Sequence, residues 1–164
     1  MRVVVLGVGN ILLSDEGVGV RAIEALREGW LLPPEVEVID GGTSGMELLE
    51  DLSRADLLVV ADAVKAGKSP ASIIRIAGVD VPVFFRAKIS PHQVGLSDVL
   101  ADLEFMDESP RETVIIGVQP VSMETRMELT PEVAARLPEV VGMIVAELRA
   151  HGIVVQSRAE VPAH

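Results

Sequence analysis

Apolar runs alternate with helical spacings along this chain. Residues 3–6 are Val-Val-Val-Leu, a β-branched run that predicts a strand buried on both faces. Gly7, Gly9 and Asn10 end it. From about Glu16, apolar residues recur at intervals of three and four: Val18, Ala22, Ile23, Leu26 and Trp30. That spacing predicts a helix, stopped by Pro33-Pro34. Val36, Val38 and Ile39 predict a second strand ending at Asp40. A glycine-rich loop over 41–45 follows, then a short helix through Met46, Leu48, Leu49 and Leu52. Further strands are expected at 57–60, 72–76 and 113–118, and a helix over about 93–105. Segment 78–91, with Pro82, Phe84 and Phe85, reads as strand or loop. The last helix is expected over about 131–150, kinked or split at Pro138 and capped by Gly152.

Buried strands alternating with amphipathic helices predict an α/β fold with a mostly parallel sheet. The chain reads as one domain over 1–155, with a loose, non-periodic tail over 156–164. With 49 % hydrophobic residues in 164 it can bury a core, and with three Phe, one Trp and no Tyr that core must be aliphatic. The net charge of -11 argues against nucleic acid and anionic membrane as partners, because both need clustered Lys and Arg. The absence of cysteine excludes disulfides, thiolate metal sites and a cysteine nucleophile. The opening apolar run is too short for a signal peptide, and no stretch reaches the length of a membrane span. A soluble cytoplasmic protein is expected.

In α/β folds ligands sit at the carboxyl ends of the strands. That edge should collect residues 7–15, 40–43, Asp62 and Gln119-Pro120. Gly7-Val8-Gly9 resembles the start of a dinucleotide-binding turn, but the position of its third glycine holds Leu12. Asp40 keeps that reading open as a ribose-binding acid, whereas Asp15 and Glu16 would repel a pyrophosphate. Ser14 and Asp15 suit helix capping. Capping does not explain Gly17 and Gly19, which call for close approach of a backbone or ligand. Taken alone, Asp62 suits a loop-capping aspartate and His92 an N-cap or exposed loop residue after Pro91. Taken together, Glu16, Asp62 and His92 form a first shell for a borderline divalent metal, with open positions for water or a carbonyl. A carboxylate-only scheme, with Glu16 and Asp62 sharing a proton, is the other reading. One histidine and no cysteine do not predict tight binding of a free ion. They suit a metal already partly ligated by something else.

The run from Gly7 to Gly19, with Asn10, Ser14, Asp15 and Glu16 inside it, resembles the opening signature of the hydrogenase maturation endopeptidases. The match continues at Asp40-Gly41-Gly42-Thr43, Asp62-Ala63-Val64, Ser90-Pro91-His92-Gln93-Val94-Gly95-Leu96 and Gly117-Val118-Gln119-Pro120. It covers about residues 1–150 in order. The resemblance implies a three-layer α/β fold, a twisted, mostly parallel sheet of about five strands flanked by helices. It implies one endoproteolytic cut, of aspartic type or metal-assisted. That cut removes a C-terminal extension from a nickel–iron hydrogenase large-subunit precursor after nickel insertion. The family's catalytic and nickel-recognising acids and histidine fall on Glu16, Asp62 and His92. Its acidic substrate-discriminating loop falls on Asp40, with Gly41, Gly42 and Thr43. The nickel would be supplied by the substrate, with no tightly bound intrinsic cofactor, and the protein would be a monomer. A non-catalytic chaperone binding nickel or precursor on the same fold is the alternative.

Overall fold

The structure is a computed structural model that describes residues 1–87 and 90–160. Its framework is a five-stranded sheet. β1 is Val3–Val8, β3 Val36–Gly42, β4 Leu57–Ala63, β5 Ile73–Ala77 and β6 Glu112–Val118. Their order is β3-β1-β4-β6-β5, with only β5 antiparallel to its neighbour. Every residue of β1 and β4 is buried, because helices cover both faces. The helices are α1 Val18–Gly29, α2 Leu49–Leu52, α3 Asp80–Arg86, α4 Pro91–Phe105, α5 Pro131–Ala134 and α6 Leu137–Ala150.

Strand alternation divides the core in two. Val3 and Val5 of β1, with Leu57 and Val59 of β4, pack with Ile23 and Leu26 of α1 and Ile144 and Leu148 of α6. Val4 and Leu6, with Leu58 and Val60, pack on the other face with Leu96, Val99 and Leu103 of α4. The three-layer α/β expectation is met, with a mixed five-stranded sheet.

Four local expectations change. First, segment 78–91 supplies α3, where Pro82 lies in the first turn and its missing N–H costs no helical bond. Second, Glu16 sits in a 3-10 turn, Ser14–Gly17, ahead of α1. Third, α1 ends at Gly29, and Trp30 leaves it for a short strand, β2 Trp30–Leu31. Fourth, the described part of the tail is not loose. Gln156–Ser157 forms β7, antiparallel to β2, and Arg158–Glu160 makes a 3-10 turn. The guanidinium of Arg149 stacks 5.3 Å from the Trp30 ring centroid beside this pair. The rest of the expected tail, 161–164, lies outside the described residues. Pro138 does split the last helical segment into α5 and α6.

Gly19 answers the question its sequence position raised. A Cβ there would lie 2.0 Å from the Ala61 carbonyl oxygen and 2.5 Å from that of Val8. The helix backbone therefore rests directly on β4 and β1, a packing only glycine permits. This seats the turn carrying Glu16 beside the end of β4, which carries Asp62.

Candidate active site

Three elements bring the titratable groups together. β4 presents Asp62, one residue before the strand ends, the 3-10 turn before α1 presents Glu16, and the first turn of α4 presents His92. His92 is thus a buried helix residue, not a loop residue. The capping box of Ser90 and Gln93 fixes that first turn. His92 Nδ1 lies 3.1 Å from Glu16 Oε1, and Nε2 lies 3.0 Å from Asp62 Oδ1. Ser90 Oγ also approaches Nδ1, at 3.0 Å. The exposures of Glu16, Asp62 and His92 are only 7, 2 and 6 %. A cleft of about 430 Å³ reaches Glu16, His92 and Gln93 between Ile76, Phe84, Pro120 and Met123.

Sequence reasoning left Gln93 without a role. Its side-chain amide donates to Asp62 Oδ2 at 2.6 Å and to the Ala63 carbonyl at 3.0 Å. The Ala63 N–H donates to Asp62 Oδ1 at 2.8 Å. Both oxygens of the buried carboxylate are therefore held. The only signal for Gln93 was its place beside His92 at the third helical position, where a capping glutamine belongs.

Asp15 also has a different role from the expected helix cap. It is fully buried and accepts the backbone N–H groups of Val121, Ser122 and Thr130, at 2.9, 3.0 and 2.8 Å, and the Thr130 hydroxyl. It anchors both ends of the connection between β6 and α5, which walls the cleft. Asp15→Ala should leave three partly buried donors without their acceptor and cost about 2–4 kcal/mol. Chemical denaturation checks the loss, and wild-type stability would refute the anchor.

Asp40, Gly41, Gly42 and Thr43 are not joined to this cluster. The first three are the end of β3, rather than a loop, and Thr43 is in the turn beyond. Asp40 aligns with Gly7 of β1, which aligns with Ala61 of β4. Two strand spacings, roughly 10 Å, therefore separate it from β4. The Asp40 carboxylate accepts the Gly42 N–H at 2.9 Å. The four residues share the sheet edge with the cluster without touching it.

Burial opposes charging of His92, but the hydrogen bond and charge of Asp62, and those of Glu16, outweigh it and raise its pKa. Burial raises that of Asp62, against the pull of His92, Gln93 and the Ala63 N–H. Both ring nitrogens of His92 are already engaged, Nδ1 by Glu16 and Nε2 by Asp62. Among the described residues no group of three His, Cys, Asp or Glu side chains stands ready to hold a metal ion. A metal arriving here must replace one of these contacts, and ligation needs a deprotonated ring nitrogen.

The sign for stability follows from the raised pKa of His92. Its contribution is full below 6.5 and is lost as pH rises through the folded value. Thermal melts across pH 6–9 should therefore slope downward, and His92→Gln should flatten that slope. His151, raised by the Glu147 carbonyl and Glu112, acts in the same direction and remains in both proteins. An identical slope in the variant would refute the raised pKa.

A model described as hydrogenase maturation protease matches residues 20–147. The chain belongs to the hydrogenase maturation protease family. It is 47 % identical over 154 residues to Hydrogenase 2 maturation protease of Escherichia coli (strain K12), covering 93 % of this chain and 94 % of that protein. It is 43 % identical to the hydrogenase expression/formation protein HupD of Rhodobacter capsulatus, over 98 % of this chain and 77 % of that one. The protease superposes on the hydrogenase maturating endopeptidase HybD from E. coli with a TM-score of 0.95 at 44 % identity. That match covers 98 % of this chain and 100 % of HybD. No helix among the protease's described residues is long and apolar enough to cross a membrane.

Proposed function

We propose that this protease removes the C-terminal extension of a nickel–iron hydrogenase large-subunit precursor, and does so after nickel has been inserted. It works in the cytoplasm as a monomer. The observation that carries this reading is the buried Glu16–His92–Asp62 arrangement at the end of a cleft, in a chain of this family. Two carboxylates and an imidazole supply hard and borderline donors, and the chain has no thiolate of its own. Nickel is therefore cargo of the substrate, partly ligated before it arrives.

The carboxylates are bridged by imidazole rather than paired with each other. They do not share a proton as an aspartic dyad does. This favours the metal-assisted form of the reaction. The substrate's metal would polarise the scissile carbonyl; Glu16 or Asp62 would take a proton from the water that adds to the carbonyl carbon and would pass it to the leaving nitrogen as the amide C–N bond breaks. Neutral His92 is the ligating form, so activity should rise with pH as stability falls.

The test is the intact mass of a cognate precursor after incubation with the protease, with and without nickel loading. Loss of a single C-terminal fragment from the loaded precursor alone is expected. A stable complex with unchanged precursor mass would replace the protease reading by a chaperone on the same fold. Nickel-independent cleavage would remove the metal from the mechanism.

A further inference from the structure

Gln93 is 6 % exposed and spends every polar atom of its side chain inside the protein. Its Oε1 accepts the Ser90 N–H at 3.2 Å, which completes the capping box of α4. Its Nε2 carries two hydrogens. One goes to Asp62 Oδ2 at 2.6 Å and the other to the Ala63 carbonyl at 3.0 Å. A single planar amide therefore ties the helix turn that carries His92 to the strand end that carries Asp62. Capping alone does not call for this residue, because the cap uses only the side-chain oxygen and glutamate supplies that as well. Glutamate would set a second carboxylate against Asp62 Oδ2 and the Ala63 carbonyl, where glutamine presents N–H groups. The nitrogen of Gln93 answers to Asp62, not to the helix.

Oδ1 of Asp62 receives the Ala63 N–H at 2.8 Å and lies 3.0 Å from His92 Nε2. Oδ2 has Gln93 as its only donor among the described residues. The terminal torsion of a carboxylate side chain is soft, and the contact at Oδ2, the shortest of the three, stops its rotation. We propose that Gln93 is a positioning residue of this protease: by holding Asp62 Oδ2 it turns Oδ1 toward His92 and sets the spacing of the Glu16–His92–Asp62 cluster before substrate arrives. The inference rests on the protease reading and deepens it at the same site. Gln93 also reaches the wall of the cleft, but with both N–H groups committed it has no donor left to offer a peptide. It acts through Asp62.

The test is Gln93→Met, which keeps the length of the side chain and removes its polar atoms, made in the full chain beside Leu103→Ala. Leu103 is fully buried near the far end of the same helix, and truncating it destabilises the core without altering the cluster. Steady-state cleavage of nickel-loaded precursor by Gln93→Met is expected to show kcat lowered about a hundredfold, the scale of an ångström of misplacement. KM should stay within about twofold, because no contact with the peptide is removed. Leu103→Ala should melt at least as far below wild type as Gln93→Met, yet keep the wild-type kcat at a temperature where it is folded.

Crystal structures of the free wild type and of Gln93→Met supply a readout that a merely stabilising glutamine would not move. The Asp62 carboxylate should be rotated in the variant, with Oδ1 more than about 3.5 Å from His92 Nε2. An unmoved carboxylate, a kcat within about twofold of wild type, or equal losses of kcat in Gln93→Met and Leu103→Ala would each overturn the inference. Gln93→Asn replaces the methionine variant if that one does not fold. Its amide is one methylene too short to cap Ser90 and hold Asp62 together, so kcat should fall at least about tenfold with the same rotation of Asp62. If wild type leaves nickel-loaded precursor uncut, the protease reading fails, and the two crystal structures alone decide whether Gln93 holds Asp62: a rotated carboxylate supports it and an unmoved one overturns it.

Discussion

Asp62→Asn is expected to lower processing of nickel-loaded precursor by at least about a thousandfold, within the range for a positioned acid–base or ligand group, while the protein still folds but melts below the wild-type temperature. Both effects follow from the two oxygens of the carboxylate. Asparagine keeps the shape and can still accept from Gln93, whose amide lies 2.6 Å from Oδ2. Its amide nitrogen then faces the Ala63 N–H, which donates to Oδ1 at 2.8 Å, and leaves that buried donor without an acceptor. What is lost for the chemistry is the negative charge that a divalent cation needs. Mass spectrometry of the precursor over time and a thermal melt are the two measurements. Near-wild-type processing would remove Asp62 from the chemistry. A variant that no longer folds would make it a structural residue.

Gly19→Ala is the second large effect, and it acts on the fold. The added methyl would meet the carbonyl oxygens of Ala61 and Val8 at 2.0 and 2.5 Å. Both are backbone atoms of adjacent strands, so no side chain can swing aside. The helix must lift from the sheet, at a cost of about 3 kcal/mol or more. For a chain of this size that is a fall of roughly 6–12 °C in melting temperature. Gly142, inside α6, has no atom within 4 Å of its would-be Cβ. Gly142→Ala should therefore stabilise, by about 0.5–1 kcal/mol. Opposite signs in the two variants would tie the effect to close packing. Equal small effects would refute it. The lifted helix would also separate Glu16 from Asp62, so the folded fraction of Gly19→Ala should process poorly.

Much of this site was legible in the order of residues. Asp62 was legible as lying near the carboxyl end of a buried strand, because a run of aliphatics precedes it and a buried carboxylate needs partners that the sheet edge can supply. Gly17 and Gly19 signalled close backbone approach, because glycine is costly in helix turns without one. The misreadings share a different origin. Ser14 and Asp15 have the composition of a cap, but Asp15 spends its carboxylate on residues more than a hundred positions away. Segment 78–91 was ambiguous because proline is excluded from helix interiors but not from a first turn. Gln156–Ser157 carries no periodic pattern, since two residues pairing with Trp30–Leu31 are too few to show one.

By itself the sequence determined the layered α/β fold, because continuous apolar runs and helical spacings can bury their surfaces in few other ways. It also determined the residue types at the sheet edge, and through them the family. Tertiary structure alone decided that His92 is clamped between Glu16 and Asp62, that Gln93 holds the second oxygen of Asp62, and that Asp40 stands apart. Those are distances between segments far apart in the chain. They depend on strand order and helix seating, which pairwise packing across the whole core sets and no local pattern encodes.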